Sequence, residues 1–209
     1  NTLLDTDFSE LPAAMTLHEG NGSAEVVNGE LQIKTPSGGG AVYARYDFGE
    51  ALSGKVQAET RFMATSPDFV NLLFLYREGT QSIDASKCTN SVAVQDGNLK
   101  YHNGSGWQGS FLSYSVDTWY EIRMELDIGE GKYGISINGT DYADQTFRKR
   151  GDGVEDCIRL LKFGTDKADA GLTYDYIRVY RESSVEITAD KTTCLLYTSP
   201  SPRDRQKSR

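Results

Sequence analysis

The sequence is poor in the residues from which most metal and redox sites are built. Its 209 residues include three cysteines and two histidines, His18 and His102. No CxxC or HExxH motif and no glycine-rich phosphate loop occurs, so zinc and nucleotide chemistry have no support. No apolar run approaches the roughly 20 residues of a transmembrane helix. The net charge of −8 comes without a basic cluster. We therefore expect neither a membrane span nor a nucleic-acid partner.

Sustained helical periodicity is also missing, whereas residues 119–147 alternate as β-strands do. In the first predicted strand, the apolar residues at every second position from Tyr120 to Ile128 are separated by charged residues. A period of two places one face in the core and the other in solvent. Apolar residues return after a glycine-containing turn, and Asn138-Gly139 favours a type I′ turn. The stretch predicts a three-stranded antiparallel meander.

Similar signals run along the rest of the chain. Asn28-Gly29 and Asp96-Gly97 each separate two alternating segments, which predicts two further hairpins. We expect a first strand over residues 6–9, with Phe8 facing inward. Residues 54–64 place Val56, Ala58, Thr60 and Phe62 on one face. Turn signals at intervals of roughly 8–12 residues are typical of sandwiches. The sequence therefore predicts an all-β fold, a two-sheet antiparallel β-sandwich of the jelly-roll type.

Three motifs resemble the concanavalin A-like lectin/glucanase jelly roll, including its laminin G-like members. They are Asp5-Thr6-Asp7-Phe8, the hairpin WYEIRMELD…YGISING, and the closing strand TYDYIRVY at residues 173–180. The resemblance covers residues 5–182 and predicts one domain over residues 1–182. It implies a secreted or cell-surface module that binds a polysaccharide or another glycan. Such a module is expected to be monomeric within a longer polysaccharide-degrading or adhesive protein.

The C-terminal segments are expected to lie outside this domain. Residues 183–193 resemble the start of a bacterial Ig-like repeat, which predicts a linker or a truncated second domain. The sequence CLLYTSPSPRD, from Cys194 to Asp204, resembles a translated sequencing-library adapter. We therefore expect residues 194–209 to be a disordered and artefactual tail on a metagenomic fragment. The two remaining cysteines, Cys88 and Cys157, could form a disulfide or stay as separate buried thiols.

The catalytic motifs of jelly-roll enzymes are absent. Glycosidases of this superfamily place carboxylates in a Glu-x-Asp-x-x-Glu pattern, because two carboxyl groups about 5–5.5 Å apart must flank one glycosidic bond. That string does not occur, and the acids between Glu121 and Asp127 are typical of a charged outer face. The R-x-E-x-R, Q-x-H and Y-x-K-x-G-x-Y strings of jelly-roll lyases are missing too. A lyase would need a neutralising Arg or amide and a Tyr or His base. The candidates, if their strands are adjacent, are Arg61, Asn71, Tyr76, Arg77, Tyr101 and His102.

We therefore favour a non-catalytic carbohydrate-binding module, with a polysaccharide-cleaving lyase or glycoside hydrolase as the alternative and an adhesion or spacer domain as the third hypothesis. Sugars stack on aromatic rings while polar side chains bind their hydroxyls. Trp107, in the glycine-rich segment NGSGWQG, is either the sugar platform or a lid over a sandwich edge. Trp119 begins a strong strand and is expected in the core. The predicted ligand-binding residues are Trp107, Tyr101, His102, Tyr76, Arg77, Arg61 and Asn71.

A structural calcium ion is implied by the resemblance, because related sandwiches often carry one where the terminal strands meet. Hard carboxylate oxygens suit Ca²⁺. Asp7 and Asp175 occupy the corresponding places, with Asp5 or Glu10 nearby. The alternative is that these residues are ordinary acids at the ends of strands.

Overall fold

Every regular element in the described part of the chain is a β-strand. The computed structural model describes residues 1–66, 70–76, 88–103, 105–108, 112–148 and 158–182. Within these ranges no helix is long and apolar enough to cross a membrane. The strands, numbered in chain order, form two antiparallel sheets, which confirms the predicted all-β fold.

The eight-stranded sheet contains the meander and both terminal strands. Its members are β1 (Thr2–Thr6), β3 (Ser23–Val27), β4 (Glu30–Lys34), β6 (Lys55–Ala64), β11 (Tyr120–Asp127), β12 (Lys132–Ile137), β13 (Thr140–Thr146) and β15 (Gly171–Arg181). The strand order is β13-β12-β11-β6-β15-β4-β3, and β1 also pairs with β15. The backbone amide of Arg181 donates to the carbonyl of Asn1 over 2.8 Å, and the Asn1 amino group donates to the Arg181 carbonyl over 2.9 Å.

The seven-stranded sheet contains most of the residues proposed from the sequence to bind a ligand. Its members are β2 (Met15–His18), β5 (Val42–Leu52), β7 (Val70–Tyr76), β8 (Cys88–Gln95), β9 (Asn98–His102), β10 (Trp107–Gln108) and β14 (Ile158–Thr165). The strand order is β10-β9-β8-β7-β14-β5-β2. Strands β14 and β7 are therefore neighbours at its centre, although they lie far apart in sequence.

The core lies between the two sheets and follows the alternation in the sequence. On β11 the buried residues are those at even positions, from Tyr120 to Leu126, as predicted. On β6 Val56, Ala58, Thr60 and Phe62 are all buried. Complete burial of a large aliphatic or aromatic side chain contributes about 1.5–3 kcal/mol. The sandwich is therefore stabilised mainly by the inward-facing half of each strand.

Three hairpins turn at the dipeptides that the sequence identified. Asn28, Asp96 and Asn138 have φ angles of 54°, 51° and 48°, and each is followed by a glycine that also has positive φ. Two successive positive φ values define the type I′ geometry, which matches the twist of the flanking strands. These turns fix the register of the β3–β4, β8–β9 and β12–β13 pairs.

The N-terminal strand differs from the prediction. Strand β1 ends at Thr6, so the strand expected over residues 6–9 is wrong. Phe8 is nevertheless fully buried, as expected, although it lies beyond the strand with a φ of 55°. Cys88 is buried on β8, whereas Cys157 and residues 183–209 lie outside the described residues, so the pairing of these cysteines and the C-terminal boundaries stay predictions.

Candidate functional site

The seven-stranded sheet has a second face, which points away from the core, and we call it the outer face. On β5, Val42 and Ala44 belong to the core cluster, so the alternate residues Tyr43 and Arg45 lie on the outer face. On β14, Leu161 and Phe163 belong to the core, which places Lys162 on the outer face as well. This face is polar and basic at the β2–β5–β14 side of the sheet.

Strand register brings these three side chains together with His18 of β2. We call the group of His18, Tyr43, Arg45 and Lys162 the basic cluster. His18 is paired with Tyr43 across β2 and β5, and Arg45 is paired with Lys162 across β5 and β14. The rings of His18 and Tyr43 are stacked, with centroids 4.7 Å apart. The Lys162 Nζ atom lies 5.2 Å from the centroid of the Tyr43 ring. One tyrosine ring thus contacts both an imidazole and an ammonium group.

The charges of this cluster are held in an environment of limited solvent access. Lys162 is 0% exposed and Tyr43 is 3% exposed. Burying an ammonium group is costly unless its surroundings compensate the charge, and the electron-rich face of Tyr43 is one source of compensation. Arg45 forms an ion pair with Asp47 over 3.2 Å. The Arg45 Nε atom is buried and has no hydrogen-bond partner among the described residues.

Burial also favours the neutral form of the tyrosine. Desolvation raises the pKa of Tyr43 above its ordinary value, although the positive charge of Arg45 acts in the opposite direction. The phenol therefore keeps its proton at neutral pH and can donate it. His18, in contrast, is exposed at the rim of the cluster. The arrangement places a proton donor beside an accessible imidazole.

The close approach of β14 to β5 depends on a glycine. Gly164 is paired with Tyr43, and a Cβ atom added at Gly164 would lie 2.6 Å from the Tyr43 Cα atom and 2.7 Å from its Cβ atom. No side chain fits in that space. Gly164 therefore lets the backbone of β14 pass directly beside the tyrosine of the cluster.

Two buried hydroxyl groups lie on the outer face of β8. Residues Val92 and Val94 of this strand belong to the core, so Thr89 and Ser91 face the other way. Both are completely buried, and neither hydroxyl has a hydrogen-bond partner within the described ranges of the chain. Ser91 and Lys162 both pair with position 74 of β7, so they lie two strands apart in one row across the sheet. Buried hydroxyls without partners are uncommon.

The residues predicted from the sequence do not form one group. Arg61 lies on β6 of the eight-stranded sheet, so grouping it with the residues of β7 and β9 is wrong. Tyr101 is 8% exposed and belongs to the core cluster, because it lies two positions after Leu99 on β9 and therefore shares its inward face. Its prediction as a surface ligand residue is therefore corrected. Burial raises its pKa.

His102 and Trp107 remain together at one edge of the seven-stranded sheet. Trp107 lies on the short edge strand β10, and it is paired with His102. Their rings meet edge to face, with centroids 5.6 Å apart. His102 is 5% exposed, whereas Trp107 is half-buried. Asn71 and Tyr76 lie on β7 of the same sheet, and Arg77 lies outside the described residues.

The predicted core position of Trp119 is wrong as well. Trp119 is half-buried, and the guanidinium carbon of Arg61 lies 4.6 Å from the centroid of its ring. Adjacent residues of a strand face opposite sides of the sheet. Because the next residue, Tyr120, faces the core, Trp119 faces away from it. Arg61 also forms an ion pair with Asp175 over 2.8 Å.

The acids predicted to bind calcium already have protein partners. Asp175 is the partner of Arg61, and Asp7 Oδ1 accepts a hydrogen bond from the backbone amide of Ser9 over 3.0 Å. That hydrogen bond lowers the pKa of Asp7. Within the described residues no group of three or more His, Cys, Asp or Glu side chains could hold a metal ion. The calcium site stays a prediction.

The main residues of the basic cluster were not selected from the sequence. One signal was present, because Lys162 interrupts the otherwise apolar segment CIRLLKFG. Tyr43 and Arg45 alternate with the core residues of β5, which is ordinary for a strand. Only the pairing of β14 with β5 shows that these residues share one face.

No protein-family model matches the sequence, and no curated protein sequence matches it. Solved structures do resemble the fold. A sialidase superimposes with a TM-score of 0.66 at 14% identity, over 88% of this chain and 19% of the sialidase. The endo-β-1,3(4)-glucanase SCLam of family GH16 gives a TM-score of 0.60 at 11% identity, over 88% of this chain and 91% of the glucanase. The alginate lyase Aly36B gives 0.52 at 13% identity, over 76% and 83%. The chain thus spans only about a fifth of the sialidase.

Proposed function

We propose that this chain, which has the concanavalin A-like jelly-roll fold predicted from its sequence, cleaves an acidic polysaccharide by β-elimination at the basic cluster. The observation that carries the proposal is the juxtaposition of Lys162 and Arg45 with Tyr43 and His18 on the outer face. The solved structures with this fold include a sialidase, a glucanase and an alginate lyase. They support the enzymatic alternative at least as well as the non-catalytic module.

The charge of the cluster selects the substrate class. A uronic acid residue in a polysaccharide carries a carboxylate at C5, and its negative charge opposes removal of the neighbouring proton. The partly exposed guanidinium of Arg45 would bind this carboxylate, and the positive charge of the buried Lys162 would help to stabilise the charge that develops on it. A neutral sugar has no group that would pair with these cations.

The chemistry needs one group to accept a proton and one to donate a proton. His18 accepts the proton from C5, and the electrons of the C–H bond form a double bond between C4 and C5. The bond from C4 to the glycosidic oxygen breaks, and the Tyr43 hydroxyl protonates the leaving oxygen. The raised pKa of Tyr43 keeps its hydroxyl protonated, which a general acid requires. Because the two rings are 4.7 Å apart, both residues can reach one sugar unit.

The test is an assay for the unsaturated product, whose new double bond absorbs in the ultraviolet. Alginate, polygalacturonate, hyaluronan and chondroitin sulfate serve as substrates. Tyr43→Phe is expected to lower activity by about 10²–10⁴-fold, as is typical for loss of a general acid. The matched control is Tyr46→Phe, since Tyr46 lies on the same strand but packs against the core. Absence of product from all four polymers, or full activity of Tyr43→Phe, would reject the proposal.

A second candidate function is the non-catalytic carbohydrate binding predicted from the sequence. It is favoured by the half-buried ring of Trp107, which stands against His102 at the sheet edge. In native gels cast with each polymer, retardation without an unsaturated product would support this function. Loss of retardation in Trp107→Ala would locate the binding there. A location outside the cell, where such polymers occur, forms part of both proposals.

A further inference from the structure

The eight-stranded sheet also carries an open depression on the face that points away from the core. It consists of two adjoining hollows, of about 270 Å³ and 530 Å³, which we together call the trough. Both hollows are lined by Arg123, Ser136 and Asp141. These volumes are comparable with the roughly 300–1,000 Å³ of ligand pockets. The trough lies on the opposite side of the sandwich from the basic cluster, because the two sheets pack against each other through their inner faces.

The sequence of β12 explains why a depression forms at this place. The outward positions of β12 are Gly134 and Ser136, which are small. They are paired with the long side chains of Glu125 and Arg123 on β11. A row of small residues beside a row of long ones leaves a channel along the sheet. The trough is therefore a direct result of the strand register.

A serine in this channel has an unused hydrogen-bonding group. Ser136 is 8% exposed and lines both hollows. No residue in the described part of the chain forms a hydrogen bond with its hydroxyl, which opens into the trough. This hydroxyl is therefore a position where a ligand hydroxyl can bind.

The remaining lining provides acceptors for hydroxyl groups. The larger hollow is lined by Glu59, Glu121 and Asn138, and the smaller one by Glu125. Arg123 is the only cation lining either hollow in the described residues, and its ion pairs with Glu125 and Asp141 are long, at 3.5 Å and 3.8 Å. Carboxylates exceed cations here, so the trough repels an anionic polymer. Neutral sugars fit it, because their hydroxyls donate hydrogen bonds to carboxylates.

We propose that the trough binds a neutral polysaccharide and is a site separate from the basic cluster. The two faces of the sandwich would then hold polymers of different charge, an acidic one on the seven-stranded sheet and a neutral one on the eight-stranded sheet. Ser136, Asp141 and Arg123 bind the hydroxyls of the polymer. The proposal does not depend on catalysis at the basic cluster.

The test is affinity electrophoresis of the full chain in native gels that contain mixed-linkage β-glucan, galactomannan, xylan or dextran. We expect at least one neutral polymer to retard the protein. Ser136→Leu, which fills the channel, and Asp141→Ala should each weaken that retardation at least about tenfold, the effect of losing one well-placed polar contact. Ser136→Ala, which removes only the hydroxyl, should weaken it less. Circular dichroism establishes that each variant is folded.

Two controls separate the trough from other surfaces. Glu25→Ala removes an exposed acid from β3, at the far edge of the same sheet, and should leave retardation unchanged. Tyr43→Phe, on the other sheet, should also leave it unchanged even if it abolishes cleavage of acidic polymers. Binding of a neutral polymer should be insensitive to salt, unlike binding at a cationic site. Lack of retardation by all four polymers would overturn the proposal. So would equal retardation of the wild type, Ser136→Leu and Asp141→Ala, or its loss in Tyr43→Phe.

Discussion

Tyr114 connects two parts of the sandwich through one hydroxyl group, and removing that hydroxyl should destabilise the fold. The hydroxyl accepts a hydrogen bond from the Ala64 amide over 2.7 Å and donates one to the Ala64 carbonyl over 2.9 Å. Ala64 lies two residues beyond Phe62, which is paired with Tyr120. Strand β11 begins at Tyr120, so it offers no backbone partner to Ala64. The Tyr114 hydroxyl provides the hydrogen bonds that such a partner would make.

The magnitude follows from which groups lose their partner in Tyr114→Phe. The Ala64 carbonyl also accepts a hydrogen bond from the Asp117 amide over 2.9 Å, so it stays satisfied. The Ala64 amide is completely buried and would be left without a partner. An orphaned buried donor costs about 1–3 kcal/mol. The ring remains in place, so no large cavity adds to this cost, and we expect a loss of about 1–3 kcal/mol.

Urea denaturation followed by tyrosine and tryptophan fluorescence measures this loss as a change in the free energy of unfolding. The matched control is Tyr180→Phe, since the half-buried Tyr180 forms no side-chain hydrogen bond with any described residue. The control should change stability by less than about 0.5 kcal/mol. If both variants have the same stability as the wild type, the hydroxyl of Tyr114 does not connect these segments as described.

Two further predictions concern a packing contact and a titration. Gly164→Ala should lower the free energy of unfolding by about 1–3 kcal/mol, because the added methyl group would overlap the β5 backbone. Gly106→Ala, where a Cβ atom would meet nothing within 4 Å, is the control, and equal urea midpoints for the two variants would contradict this packing. Burial and nearby carboxylates raise the pKa of Tyr176 to about 12. A tyrosine in the unfolded chain ionises near about pH 10, so the contribution of Tyr176 to stability is intact below that pH and is lost as the pH rises toward its folded pKa. Urea midpoints measured from about pH 9 to about pH 11 should fall less in Tyr176→Phe than in the wild type, and parallel profiles would show that Tyr176 is not perturbed.

Local features of this fold could be predicted from the sequence, because strands and tight turns depend on neighbouring residues. The meander of β11, β12 and β13 and the Asn28, Asp96 and Asn138 turns are examples. The alternation of inward and outward residues along a strand is equally local. Strict use of this alternation places Trp119 outside and Tyr101 inside, as the structure has them.

The candidate site depends on a different kind of information. The basic cluster forms only because β14 pairs with β5, and the residues of this pair are separated by more than a hundred positions in the chain. No periodicity in either strand identifies its partner. The same limit applies to Arg61, which was grouped with residues of the opposite sheet. The strand and turn positions of residues were therefore easier to predict than their partners across the sheet.

The paired backbone hydrogen bonds of Asn1 and Arg181 have a consequence for how this sandwich can be combined with other proteins. A domain whose first and last strands lie side by side can be inserted into a surface loop of a host protein without separating the ends of that loop. The same closeness allows a circular permutation of residues 1–181, in which a short linker joins Arg181 to Asn1 and new ends are opened at the Asn28-Gly29 turn. Such a permutant would keep the strand pairs of the described residues and both outer faces, so the two proposed binding surfaces could be moved together to a new position in a fusion protein.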